Sequence, residues 1–274
     1  MLEIILEYTF MRNAFYSAVL SSIICGMIGT VIVEKKLVSM SGGIAHTSFG
    51  GIGLGYKMGI EPLIGGLAFS LGAALGISAI KRSTKTESDT LIGMFWAVGM
   101  ALGVIFIAIT PGYPPDMTSY LFGDILTVSN MYVKVIAGLA GGIFLLIVSL
   151  YRYWQSFLFD DEYLKILGVN TAVLEYLLYG FISLSIVILI KVVGIVLAIA
   201  LLTIPPATAK IFAKNLGQIM IYSTLIGCGT SIGGMWISYL YNIPSGATII
   251  MLSILVYGLM YPVKTIAFKA KDVK

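Results

Sequence analysis

The sequence predicts an all-α, polytopic helical membrane protein with about nine transmembrane helices, eight being the runner-up, in a single domain over residues 1–274. Three observations carry this. Apolar stretches of about 18 to 22 residues recur along almost the whole chain, the length needed to cross a hydrocarbon core about 30 Å thick. Hydrophobic residues make up 58% of the chain and charged residues 11%, where soluble domains carry about 25% charge. The runs are also longer than the alternating segments of about 10 residues that build a membrane β-barrel. Nine spans of about 20 residues leave only short loops between them.

The first run, 12–33, follows Glu3, Glu7 and Arg12 and has no small-residue cleavage site behind a short apolar core. It therefore reads as a retained span rather than a signal peptide. Runs 42–58 and 62–80 are rich in glycine (Gly42, Gly43, Gly50, Gly51, Gly65, Gly66), and small residues let membrane helices approach closely. Runs 90–110 and 131–150 flank residues 117–128, which are too polar to span and read as a surface or re-entrant helix. Runs 173–190 and 192–209 abut, and joining them into one broken segment gives the eight-span count. Runs 217–239 and 246–263 complete the set, the last opened by Pro244 and Ser245, which suit a helix start. Cys25 and Cys228 lie inside apolar runs and read as small hydrophobes rather than a disulfide.

Lysine and arginine orient the set. Lys35-Lys36, Lys81 with Arg82 and Lys85, Arg152 with Lys165, Lys210 with Lys214, and the tail lysines Lys264, Lys269, Lys271 and Lys274 all fall on one side if nine spans are counted. The positive-inside rule makes that side cytoplasmic, with the N-terminus outside and the C-terminus inside a prokaryotic cytoplasmic membrane. Arg12, Lys57, Lys134 and Lys191 are single exceptions near outer ends. The net charge of +4 thus reports topology and membrane lipid contact, not a nucleic-acid partner.

The polar residues within the spans are few. His46 is the only histidine and sits in the second run, within SMSGGIAHTSFGGIGLG (39–55), beside Thr47 and Ser48. A histidine in a membrane must pack into protein or line a wet path. Two readings stay open: it meets an ion transiently, or it holds two helices together by a hydrogen bond. One histidine cannot build a closed zinc site, which takes about four ligands. Pro205 and Pro206, in LLTIPPATAK (201–210), each remove a backbone donor and should kink or break the helix, with Thr203 and Thr208 available to the freed carbonyls. The bend is either static or part of gating. Asp116 and Asp124 flank the short outer segment, where they either attract cations or are solvated. The longest charged loop holds FDDEYLKILGVN (159–170). Asp160, Asp161 and Glu162 favour a first helical turn, Leu164, Ile166 and Leu167 give an apolar side, and Gly168 stops it. Such a helix docks a partner or lies in the headgroup region.

No GxxxxGK[ST] phosphate loop is present, so no ATPase site, and no enzyme activity, is expected of this chain. At this point four segments in order carry a resemblance: KKLVSMSGGIAHTSFGGIGLG (35–55), TSYLFGDIL (118–126), FDDEYLKILGV (159–169), and ALLTIPPATA (200–209) with IPSGAT (243–248). Over residues 10–265 the chain resembles the permease subunit of the zinc/manganese/iron-type ABC importers, the ABC-3 family. The resemblance implies an ABC-importer permease-like bundle that imports zinc, manganese or ferrous iron and forms a homodimer around a central path. It implies a cytoplasmic ABC ATPase dimer that uses the ATP, and an extracytoplasmic metal-binding protein that delivers the ion. The divalent ion is cargo, and no cofactor is bound. The loop at about 155–170 becomes a coupling loop to the ATPase, through Asp161, Glu162, Leu164 and Gly168. His46 matches the histidine of the family's SHA-like motif, and Asp124 the aspartate of the outer segment. The chain departs at Gly42, where many zinc permeases carry an aspartate. That departure argues against zinc.

The main rival is an ABC permease for iron–siderophore or corrin-type chelates, which usually has one more span and a longer chain. An ion-gradient transporter would show paired acidic residues near the midplane, whereas acidic residues here sit mostly in loops. Glycine packing alone would also permit a non-transporting scaffold.

Overall fold

The structure is a computed structural model that describes residues 7–84, 87–111, 118–123, 125–159, 164 and 166–269. Among these residues the chain forms eleven α-helices and one 3-10 turn. They are α1 (Thr9–Glu34), α2 (Val38–Met58), α3 (Pro62–Ser83), α4 (Ser88–Ala108), the short α5 (Thr118–Phe122), the 3-10 turn Ile125–Thr127, α6 (Asn130–Ser149), α7 (Tyr151–Phe159), α8 (Thr171–Val193), α9 (Ile195–Lys210), α10 (Leu216–Tyr241) and α11 (Ser245–Lys269). Each expected apolar run coincides with one long helix. The segment judged too polar to span is α5 and the 3-10 turn.

The expected multi-pass helical bundle is present, but length and composition alone single out fewer spans than nine. By length and composition, six helices among the described residues can cross a membrane: α1, α3, α4, α6, α8 and α11. α9 has only 16 residues. α2 and α10 are long enough, but glycine, serine and threonine lower their hydropathy. Both pack much of their surface against neighbouring helices, so they need no apolar coat all round. The chain is a multi-pass helical membrane protein.

The chain divides into two compact units. In the first, α1 is the central helix, 72% buried over its apolar window. Gly26 of α1 meets Thr224 of α10, and Ser22 meets Gly227, so the two helices run antiparallel. Gly29 receives the Leu202 carbonyl of α9, and Gly234 of α10 abuts Ile249 of α11. Asn13 Nδ2 donates to the Val128 carbonyl at 3.1 Å, pinning the end of the 3-10 segment to α1. Lys210 pairs with Glu34 at 2.9 Å. Cys25 and Cys228 are both free thiols.

The second unit is built on α2, whose small residues let α3 and α4 approach to backbone contact. Gly51 lies against Gly65, and Gly55 against Pro62, so α2 and α3 are antiparallel. Gly43 lies against Ile92, and Gly53 against Gly103, so α2 and α4 run parallel. A Cβ on Gly50 would stand 2.7 Å from the Gly99 carbonyl oxygen. α8 joins through Ser183 Oγ, which donates to the Ser70 carbonyl at 3.3 Å.

Candidate functional site

The parallel register of α2 and α4 decides what surrounds His46. Gly43 sits at the level of Ile92 and Gly50 at the level of Gly99, which brings His46 opposite Trp96. The two rings stack with centroids 4.2 Å apart and planes 6° from parallel. One residue on, Thr47 Oγ1 donates to the Gly43 carbonyl at 2.7 Å and to the Phe95 carbonyl at 3.0 Å. His46 is half-buried. Its Nδ1 is buried and has no hydrogen-bond partner among the described residues. The hydrogen bond between helices that would make the histidine a structural clasp is therefore absent at that nitrogen. A turn earlier, Gly42 is buried, yet a Cβ there would meet nothing within 4 Å. Among the described residues, no three His, Cys, Asp or Glu side chains gather, so a lone imidazole is the polar offer of this face.

At the C-terminal end of α2, about 15 Å from His46 at 1.5 Å per residue, lies a second polar group. Tyr56 and Tyr120 share a hydroxyl–hydroxyl hydrogen bond of 2.8 Å. Lys191 Nζ donates to the Tyr120 hydroxyl at 3.4 Å. Lys191 also stands 5.2 Å from the Tyr120 ring centroid, and Lys57 5.7 Å from that of Phe106. Two of the lone exceptions to the charge pattern thus lie against aromatic faces, which partly offset their charge. Sequence reasoning missed this group because its members are spread over 135 residues, from Tyr56 to Lys191.

The segment around Gly123 is fixed differently in the first unit. Gly123 and Gly194 both have positive φ, +63° and +82°. Their backbones touch, and a Cβ on either would collide with the other's main chain. A Cβ on Gly246 would stand 2.6 Å from the Phe122 carbonyl oxygen. Asp124, the neighbouring candidate, lies outside the described residues.

Of the expected coupling residues, Asp161 and Glu162 also lie outside the described residues. Leu164 is buried. Gly168 has φ +76°, and Val169 N–H donates back to the Leu164 carbonyl at 3.0 Å, a left-handed turn of the kind that ends helices. Ile166 and Leu167 are exposed, so the three apolar residues do not share one covered face. Just before them, α7 was not anticipated. Its Trp154 and Phe157 are buried three residues apart, and Lys35 Nζ stands 4.0 Å over the Phe157 ring. Phe157 and Asn170, at either end of this stretch, line a cavity of about 570 Å³ together with Lys35, Lys81 and Glu175.

Pro205 and Pro206 do not break their helix. α9 runs through both, and both are buried. The expected rescue by threonine is not what occurs. Pro205 and Pro206 deprive the Leu201 and Leu202 carbonyls of their helical donors, but Thr203 Oγ1 donates to Ile199 and Ala200, and Thr208 Oγ1 to Ile204. The Leu202 carbonyl instead rests against Gly29 of α1, beside the Pro206 ring.

The sequence pattern of the ABC 3 transport family matches residues 7–263. An uncharacterized membrane protein of Synechocystis sp. is 40% identical over 255 residues, covering 92% of this chain and 90% of that protein. The manganese transport system membrane protein MntC of Listeria monocytogenes is 29% identical over 262 residues, covering 95% of this chain and 92% of MntC. Among solved structures, PsaBC from Streptococcus pneumoniae in complex with Fab superposes with a TM-score of 0.86 at 28% identity, covering 95% of this chain and 94% of that one.

Proposed function

Because the chain belongs to the ABC 3 transport family, we propose that it is the membrane-spanning permease subunit of an ATP-driven importer of free divalent metal ions, with Mn²⁺ as the favoured substrate. The observation that carries the reading is His46, the one imidazole within the membrane-spanning helices, with a buried nitrogen that no described residue occupies. Imidazole binds first-row divalent ions, and a single one binds weakly enough to let go. Manganese over zinc is supported by the likeness to MntC across 95% of the chain. The missing carboxylate at Gly42 also argues against zinc.

The remaining assignments rest on that reading. Nine helices cross the membrane, α2, α9 and α10 included, with the N-terminus outside and the C-terminus in the cytoplasm. Two copies enclose the path. A binding protein delivers the ion near Asp124. The stretch 155–170, as part of the single permease domain, docks on a separate ATPase through Asp161, Glu162, Leu164 and Gly168. Closure of that ATPase on ATP rocks the helices, and α9, with two donor-free residues at Pro205 and Pro206, is the helix that bends. His46 passes the ion between the outward and inward states.

The test is manganese uptake by metal-starved cells that depend on this permease. His46→Ala is expected to cut the rate at least about 10-fold, the effect of losing one ligand contact of about 1.4 kcal/mol or more, at unchanged membrane levels. Normal uptake by that variant would remove His46 from the path.

A further inference from the structure

We propose that Trp96 is a positioning residue for ion transfer: its indole face, not a hydrogen bond, sets the orientation of the His46 imidazole. The inference rests on the ion-path reading of His46. Histidines that meet metals usually donate their second ring nitrogen to a carboxylate or carbonyl, which fixes tautomer and ring plane. Here Nδ1 is buried with no such partner among the described residues. Something else must hold the ring, because rotation about χ2 is otherwise broad.

The stack supplies that hold. Centroids 4.2 Å apart and planes 6° from parallel leave the imidazole one face to rest on. The two backbones are held in register beside the pair, which keeps the indole opposite the imidazole. Gly43 abuts Ile92, and Thr47 Oγ1 is bonded to the Phe95 carbonyl, the residue before Trp96. A metal ion meets imidazole in the ring plane, at a nitrogen lone pair, so a ring stacked on the face blocks neither nitrogen. Binding a cation withdraws charge from the imidazole, and an electron-rich indole face favours the more positive ring. The stack therefore tightens as the ion arrives and adds no ligand that would retain it. That suits a site that must also release.

The test uses the assembled transporter, with its ATPase and binding protein, in proteoliposomes supplied with Mn²⁺. Trp96 is 43% exposed, so its replacement leaves the core intact. Trp96→Leu is expected to raise KM about 2- to 10-fold, the range an aromatic pair supports, with a smaller change in maximal rate. Trp96→Phe, which keeps an aromatic face, is expected within about 2-fold of the native KM. Mn²⁺ is expected to quench tryptophan fluorescence in the native protein. That quench should vanish in His46→Ala, which retains Trp96, and in Trp96→Phe, which retains Trp154 and Trp236. A KM for Trp96→Leu equal to that of Trp96→Phe, or a quench that survives either substitution, would overturn the proposal. Normal uptake by His46→Ala would instead overturn the reading beneath it.

Discussion

Replacing Gly194 by alanine tests a backbone-to-backbone junction of the fold. Gly194 separates α8 from α9 with φ +82° and ψ 163°, a region essentially confined to glycine that costs an L-residue about 1–3 kcal/mol. The added Cβ would also stand 2.6 Å from the Phe122 carbonyl carbon and closer still to the Gly123 nitrogen. Both are backbone atoms, so no side chain can swing aside and the segment itself must move. Forced overpacking of this kind costs about 1–3 kcal/mol. The two effects together predict a loss of about 2–6 kcal/mol, a large part of the margin of a typical folded domain. Gly138→Ala is the control. It sits inside α6, where a Cβ meets nothing within 4 Å, and alanine there should gain about 0.5–1 kcal/mol from helix propensity. Thermal unfolding of the detergent-purified protein, followed by the loss of its monodisperse elution peak, compares the two. Gly194→Ala should unfold well below the native protein, and Gly138→Ala at or slightly above it. Equal midpoints for the two variants would refute the argument that a backbone-to-backbone contact fixes the segment around Gly123.

Three further outcomes follow from the same geometry. Gly42→Asp has room for its Cβ and places a carboxylate one turn from His46; it should reach the membrane at native levels and, measured as Mn²⁺ uptake, lower both KM and maximal rate, because the ion is held longer. Lys210→Met strips the partner from Glu34, whose side chain is only 11% exposed, and should lower stability by about 1 kcal/mol, a value kept small because Lys210 itself is half in solvent; adding Glu34→Gln should restore most of the loss, read by the same thermal assay. Tyr56→Phe removes the 2.8 Å bond to Tyr120 and should cost about 1 kcal/mol, while Lys191→Met in that background should cost less than it does alone, which a double-mutant cycle measures.

The helices were legible because each must be apolar over a length set by the bilayer, so nine runs in the sequence became nine long helices in the same order. Their caps were less so. The sequence of α7 resembles a loop, since Arg152 and Gln155 interrupt its hydropathy, and only the spacing of Trp154 and Phe157 betrays a buried face. Composition alone marks only six of the long helices as spans, because a helix packed on protein, as α2 is, can spend its surface on glycine instead of leucine. At the site, His46 announced itself as the only histidine, but Trp96 did not. Their pairing depends on a parallel register between α2 and α4, which Gly43, Gly50 and Gly53 set only once the helices meet. Pro205 and Pro206 remove two backbone donors, as their chemistry dictates, yet the helix continues through them. What the sequence hid was that Gly29, far away in α1, takes up the carbonyl left over, and that Gly123 and Gly194 are one contact rather than two turns.

The most direct measurement is ATP-dependent uptake by proteoliposomes holding this permease, its ATPase and its binding protein, with Mn²⁺, Zn²⁺ and Fe²⁺ in competition and an iron–siderophore complex alongside. The account predicts that Mn²⁺ accumulates inside, that it outcompetes the other two ions, and that the chelate stays outside. Accumulation of the chelate alone, or no uptake of any ion by a complex verified as assembled and hydrolysing ATP, would contradict it.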